Sequence, residues 1–367
     1  MERHSFGFIG LGVIGGSLAK ALRSLDPSAS ICAYTRSRET SEKALSEGVI
    51  DVICSGPSDP AFAACDVIFL CAPVENNIAA LEPLAKAAGS RPIITDVGSV
   101  KTGIHEEARR LGLSARFIGG HPMTGSERSG LDSSTEHLFE NAYYILTPEP
   151  ETDPEVLERL TGLARSLGAI PLRLDYRQHD FITAAVSHLP HLVAAALVNT
   201  VHNLDTREEY MKLIAAGGFK DITRIASSSP EMWEQICITN EENIAEVMDE
   251  FLRLLEEAKD HMTKGDGRYI RSMFRDSRDY RNSFTDKPLG PIKKTWRIYC
   301  DIVDESGAIA TIATTLAVNG ISIKNIGIVN NREFEGGVLR IEFYEEEPSR
   351  KAAELLRQHR YNVIEAH

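Results

Sequence analysis

The sequence predicts an α/β chain in three parts: a doubly wound parallel sheet, an all-helical middle, and a small βαββαβ tail of ferredoxin-like type. Three observations carry this expectation. A short apolar strand, Ser5 to Ile9, runs into Gly10-Leu11-Gly12-Val13-Ile14-Gly15-Gly16 and then a helix-forming stretch, Ser17 to Leu25. The segment Asp180 to His202 is apolar nearly all round, as in a helix buried in a large core or a subunit interface. Beyond a polar stretch the pattern restarts as strand, helix, two strands, helix and strand. At 367 residues the chain is too long for one ordinary core, and 43% hydrophobic residues suffice to fill two or three.

The glycines of the first turn have separate jobs: a tight turn at Gly10, close approach of backbone to a pyrophosphate at Gly12, and tight helix packing at Gly15. A strand before, a helix after and a second strand at Ser30 to Tyr34 make this a Rossmann-type dinucleotide-binding signature. The second strand ends in Thr35-Arg36-Ser37-Arg38, where NAD sites usually carry an acid for the ribose hydroxyl. An arginine with flanking hydroxyls suits a 2′-phosphate, so the cofactor is NAD or NADP with NADP favoured; Arg36 and Arg38 as plain solvated charges is the alternative. Strands at Asp66 to Cys71 and Arg91 to Thr95 flank a helix from Glu75 to Ala88, which implies a parallel sheet covered on both faces. Ligands bind beyond the carboxyl ends of such strands, where Ala72-Pro73, Asp96-Val97-Gly98-Ser99 and His121 fall. Gly10, Gly12, Val13, Ile14, Gly15, Thr35, Arg36, Ala72 and Pro73 thus form the expected cofactor site. The stretch Gly119-Gly120-His121-Pro122-Met123-Thr124-Gly125-Ser126-Glu127 places a histidine that titrates near neutrality among glycines, hydroxyls and charge.

After a strand at Ile170 to Leu174 the pattern is helical to about His261. Within it, Ser187-His188-Leu189-Pro190-His191 should be kinked by its proline. No acidic or cysteine partner stands at helical spacing from the two histidines, so no metal is expected. Arg224, in Lys220-Asp221-Ile222-Thr223-Arg224-Ile225-Ala226, has apolar neighbours and suits a bidentate grip on a carboxylate; a salt bridge to Asp221 or Glu231 is the other possibility. Residues 263–294 are polar, rich in Arg and Asp, and look like a linker. The expected domains are therefore 1–172 for the nucleotide, 173–282 for substrate and dimerisation, 283–294 as linker, and 295–367 as the tail. A formal charge of −13 argues against nucleic acid or an anionic membrane as partner. With no run of about eighteen apolar residues and no signal peptide, the chain reads as cytoplasmic. None of the six cysteines forms a C-x-x-C pair, so neither disulfides nor a metal cluster is expected.

Gly119 to Glu127, Ser187 to His191 and Phe219 to Ala226 with Trp233 resemble the prephenate dehydrogenase family over essentially the whole chain. The tail, with Asp304-Glu305-Ser306-Gly307-Ala308 and Asn319-Gly320-Ile321, resembles an ACT amino-acid-sensing domain. Thr124 and Lys220 depart from the commoner family residues, alanine and arginine. The resemblance implies oxidative decarboxylation of prephenate to 4-hydroxyphenylpyruvate in tyrosine biosynthesis. It implies His121 as base, Ser99 orienting the hydroxyl, Arg224 on a substrate carboxylate, His191 lining the far end of the pocket, and Glu127 as a gate, with Ser126 and Lys220 near substrate. It also implies a homodimer and feedback by tyrosine at Asp304, Gly307, Ala308, Asn319 and Ile321. Arogenate is the rival substrate, and a non-catalytic amino-acid sensor the rival class; His121, Ser99 and Arg224 together weigh against the latter.

Overall fold

The computed structural model describes residues 4–125, 130–286, 296–302, 307–329 and 337–366. The chain divides into two compact units, Met1–Ile270 and Arg271–His367. The first contains β1 (Ser5–Ile9), β2 (Ser30–Tyr34), β3 (Val52–Ile53), β4 (Val67–Leu70), β5 (Ile93–Asp96), β6 (Phe117–Pro122), β7 (Tyr143–Thr147) and β8 (Ile170–Arg173). They form one sheet in the order β3-β2-β1-β4-β5-β6-β7-β8. The first six run parallel, the order that opens a ligand crevice where the winding reverses at β1 and β4. β7 is antiparallel to β6 and parallel to β8.

Helices α1 (Val13–Leu25), α2 (Arg38–Ser46), α3 (Val74–Ala88), α4 (Thr102–Arg110) and α5 (Pro154–Ser166) connect the strands. Alternating side chains feed two cores. Phe6 and Phe8 join Leu18, Leu22 and Leu160 on one face, with Phe8 stacked on Phe69 at 5.2 Å. On the other, Ile9, Ile68 and Leu70 meet Leu81, Leu84 and Ile104. Covered on both sides, β4 is buried at every residue, which explains its unbroken apolar run. Asp153 starts α5 by accepting from the Glu155 amide at 2.8 Å, and Pro154 fits the first turn. α1 begins at Val13, four residues before the expected start, because Gly12 itself is the N-cap.

The helical part comprises α6 (Tyr176–Thr183), α7 (Leu189–Leu204), α8 (Tyr210–Ile214), α9 (Gly217–Thr223), α10 (Pro230–Thr239) and α11 (Glu241–Thr263). A π-helical turn, Ala184–His188, joins α6 to α7 into one continuous run. At the expected kink the turn is widened: Pro190 has no N–H to give, and the Leu189 amide reaches back to the Ala184 carbonyl. Contrary to the sequence expectation, Tyr176–Leu204 is long and apolar enough to cross a membrane by length and composition. Within one chain it leaves Val186 64% and Leu204 63% exposed, an apolar surface suited to a protein partner.

The linker expectation fails over Gly267–Asp286, which is helix α12. Ile270, Met273, Phe274, Ser277, Tyr280 and Phe284 recur at helical spacing among the charges that suggested a linker. Residues 287–295 lie outside the described ones.

In the second unit, β9 (Trp296–Ile302), α13 (Ala308–Val318), β10 (Asn325–Val329), β11 (Gly337–Phe343), α14 (Glu346–Gln358) and β12 (Val363–Ala366) follow in turn. The strands form an antiparallel sheet in the order β10-β11-β9-β12, the ferredoxin-like arrangement. Its own core packs Ile298, Leu339 and Ile341 against Leu316 and Leu356.

Candidate active site

The glycine turn closes tightly around β1 and β4. Gly10 has φ +100°, and a Cβ on Gly15 would stand 2.3 Å from the Gly10 carbonyl oxygen. Around Gly12, by contrast, nothing lies within 4 Å of where a Cβ would be. α1 has no side-chain cap and no acid in its first turn, so its first amides and dipole face an open cradle that fits a dinucleotide pyrophosphate. Next to it, Asn77 accepts from the Ala72 amide at 2.9 Å and donates to the Leu70 carbonyl at 3.2 Å, shaping the turn at Ala72 and Pro73. At the end of β2, Thr35 Oγ1 is engaged with Ser37 and Ser41, and Arg38 pairs with Glu42 at 2.7 Å. Arg36 is exposed and makes no ion pair among the described residues.

His121 is the fifth residue of β6, placed by a buried polar network. Lys101, fully buried, bonds the Asp96 carboxylate and donates to the Gly120 carbonyl at 2.7 Å. Asp96 in turn accepts from the amides of Gly98 (2.8 Å) and Gly120 (3.2 Å), tying β5 to β6 beside the histidine. Gly120 is needed there: a Cβ would come within 2.6 Å of the Asp96 carbonyl oxygen.

His121 Nδ1 lies 2.8 Å from His179 Nε2, and His179 Nδ1 lies 2.8 Å from Asp180 Oδ1. Asp180 also accepts from the Lys101 amide (2.8 Å), the Thr102 amide (2.7 Å) and Thr102 Oγ1 (2.6 Å). The π-turn and α7 add two further histidines. Asn240 Nδ2 faces His188 Nδ1 at 3.1 Å, while His188 Nε2 is buried without a partner among the described residues. His191 Nδ1 donates to the Ser187 carbonyl at 2.9 Å, and its ring stacks on Trp233 at 3.8 Å. Trp233 packs with Val74 and Val100, so this histidine pair sits against the loops that follow β4 and β5.

Burial keeps the His121, His188 and His191 rings neutral near neutral pH. Burial holds His121 well below the ordinary histidine range, and His179, Lys101 and His188 push it further down. Burial lowers His188 to about 4 against the pull of Asp180, and also lowers His191. A neutral imidazole beyond the carboxyl ends of a parallel sheet can accept a proton at neutral pH.

Other expected site residues are placed as follows. Ser99 is half-buried in the turn between β5 and α4, with no hydrogen bond to His121. Arg224 is exposed at the start of the short turn Arg224–Ser227, which packs against α7, and Lys220 is exposed on α9. Ser126, Glu127 and Asp304 lie outside the described residues. In the tail, Gly307 caps the start of α13 with φ +92°, whereas Asn319 caps its end and Ile321 is buried in the core. At about 1.5 Å per residue the helix holds these two groups roughly 16 Å apart, so one tail does not gather them into a single site. His179, Asp180, Lys101 and Asn240 are not singled out by the sequence, whose one signal for them is polarity within apolar surroundings; His188 stands in the stretch that the sequence does single out.

Two family models match: "Prephenate dehydrogenase, nucleotide-binding domain" over residues 18–171 and "Prephenate dehydrogenase, dimerization domain" over residues 175–276. The chain is 37% identical to a prephenate dehydrogenase of Bacillus subtilis, over 95% of this chain and 94% of that protein. Among solved structures, prephenate dehydrogenase from Aquifex aeolicus, in complex with hydroxyphenyl propionate and NAD+, matches with a TM-score of 0.73 and 30% identity, covering 77% of this chain and 99% of that one. Synechocystis arogenate dehydrogenase matches with a TM-score of 0.66 and 31% identity, covering 76% and 99%.

Proposed function

The chain belongs to the prephenate dehydrogenase family, NAD(P)-dependent decarboxylating oxidoreductases, and from that premise we propose that His121 is the base that drives oxidation of prephenate to 4-hydroxyphenylpyruvate. The observation that carries this is the neutral His121 ring, fixed at the end of β6 through Nδ1, with Nε2 in no hydrogen bond among the described residues. Gly10, Gly12, Val13 and Gly15 with the Ala72-Pro73 turn would hold the dinucleotide. Bound there, the oxidised nicotinamide ring supplies a hydride acceptor.

His121 Nε2 takes the proton of the ring hydroxyl as the hydrogen on that carbon leaves with its electron pair. The carbon–carboxylate bond then breaks, its pair enters the ring, and carbon dioxide departs as the ring becomes aromatic. Ser99 orients the hydroxyl and Arg224 grips a substrate carboxylate, with His191 and its Trp233 stack closing the far end. Among the described residues no acid pairs with His191 to receive an ammonium, which favours prephenate over arogenate. Arg36, exposed at the end of β2, supports NADP as a cofactor at least as good as NAD. The apolar helical run, left open in one chain, supports a homodimer. The ferredoxin-like tail supports an ACT domain that senses tyrosine, with Gly307 of one copy and Asn319 of another completing a site.

The test crosses prephenate and arogenate with NAD and NADP, following absorbance of the reduced nicotinamide. Turnover with prephenate is expected, and a His121→Asn variant should lose roughly a hundred- to ten-thousand-fold in kcat with KM little changed. Parent-like turnover by that variant near neutral pH sinks the mechanism. Turnover of arogenate alone would reassign the substrate.

A further inference from the structure

Behind His121 the structure places two residues that never touch substrate in the mechanism above. We propose that His179 and Asp180 are positioning residues that keep the proton of His121 on Nδ1, so that its Nε2 lone pair faces the substrate hydroxyl. The inference rests on His121 being the base and concerns what makes it one.

Asp180 is fully buried, and its two oxygens meet the Lys101 amide, the Thr102 amide, Thr102 Oγ1 and His179 Nδ1 at 2.6 to 2.8 Å. Burial pushes its carboxyl up, yet the bonds from His179 and Thr102 outweigh this and hold it below the usual carboxylate range. An ionised carboxylate only accepts, so His179 must carry its proton on Nδ1. With that proton on Nδ1, His179 offers Nε2 as an acceptor, and the 2.8 Å contact has His121 Nδ1 donate to it. The remaining nitrogen of His121 is left with its lone pair. Reversing the chain of donors would put a proton on His121 Nε2 and abolish the base.

The same arrangement receives the product of the step. When the substrate O–H bond breaks and a bond from hydrogen to Nε2 forms, the imidazolium faces Asp180 through His179. The charged and titratable groups around this line are His179 and Asp180 on α6, Asp96 at the end of β5, Lys101 before α4, and His188 in the π-turn. Lys101 and a protonated His188 would oppose the imidazolium, whereas the Asp180 and Asp96 carboxylates favour it.

The experiment measures kcat, KM and the pH profile of kcat for full-length protein with prephenate and saturating cofactor, beside unfolding temperatures. His179→Gln keeps an amide oxygen to accept from His121 but cuts the link to the carboxylate. We expect kcat to fall roughly ten- to a hundredfold with KM within about twofold, and the acid limb of kcat to shift. In Asp180→Asn the amide carries no charge to face the imidazolium and leaves one of the donors around it without an acceptor, so kcat should fall at least as far. Should His179→Gln and Asp180→Asn both keep kcat within about twofold of the parent while His121→Asn is inactive, the positioning role is wrong and the base stands. A fall in kcat with an unmoved acid limb also overturns it, because a packing defect alone produces that. If His121→Asn itself turns over normally, the base assignment fails first.

Discussion

At the scale of residues, the geometry separates binding from chemistry. Arg224, at the turn packed on α7, is proposed only to hold charge, a role that would serve ground and transition states equally. Arg224→Ala should therefore raise KM by about ten- to a hundredfold, the worth of a charged hydrogen bond, with kcat within a few fold. A kcat effect larger than the KM effect would move Arg224 into the chemistry. His121 was legible in the sequence because glycines and a preceding nucleotide signature flag it. His179 and Asp180 were not, because an adjacent His-Asp pair at a helix start looks like any solvated first turn until β6 is seen to end against it. The buried histidines also set a pH response. His121, His188 and His191 are held below 6.5 in the folded chain, His188 at about 4. The unfolded chain binds more protons below pH 6.5, so stability is present above that value and is lost as pH falls toward about 4. Calorimetry should show the unfolding temperature declining from pH 6.5 downward, and less steeply for His188→Gln; a flat curve to pH 5 contradicts this.

Among the elements, the first turn of α1 offers two glycines with opposite expectations. Gly12 has open space and an ordinary φ of −76°, so Gly12→Ala should fold with an unfolding temperature within about 2 °C of the parent. Its methyl would occupy the cradle, and the dissociation constant for the dinucleotide should rise at least about tenfold. Gly15→Ala has no room beside Gly10 and should cost about 1–3 kcal/mol, lowering the unfolding temperature by about 4 °C or more. Equal unfolding temperatures for the two variants would refute the assignment. Strand and helix order along the nucleotide domain was readable because apolar runs and turn glycines alternate with sharp contrast. α12 was not, since its polar face dominates the composition and hides an apolar stripe. The π-turn was not readable either: a proline announces a disturbance in a helix but not which way the backbone accommodates it.

For the whole molecule, each compact unit has its own core, and a chain ending at Lys294 removes the tail sheet without cutting the first unit. Such a chain should retain prephenate turnover and lose inhibition by tyrosine; unchanged inhibition would place tyrosine in the active site as a competitor of substrate. The order of domains was visible in the sequence because each restarts its own hydrophobic period. The effector residues were chosen from one linear pattern, and α13 places them at opposite ends, a separation that only the folded tail reveals.

With a second copy covering the helical run, as proposed above, activity would depend on the protein's recent concentration. His188 and His191 ride on Tyr176–Leu204, so a partner covering that apolar surface would bear on their setting. Protein diluted far below its working level and assayed at once should begin at full speed and slow as partners separate. Reconcentrated, it should regain speed with a lag that shortens as protein is added, so that the progress curve itself becomes a clock for assembly.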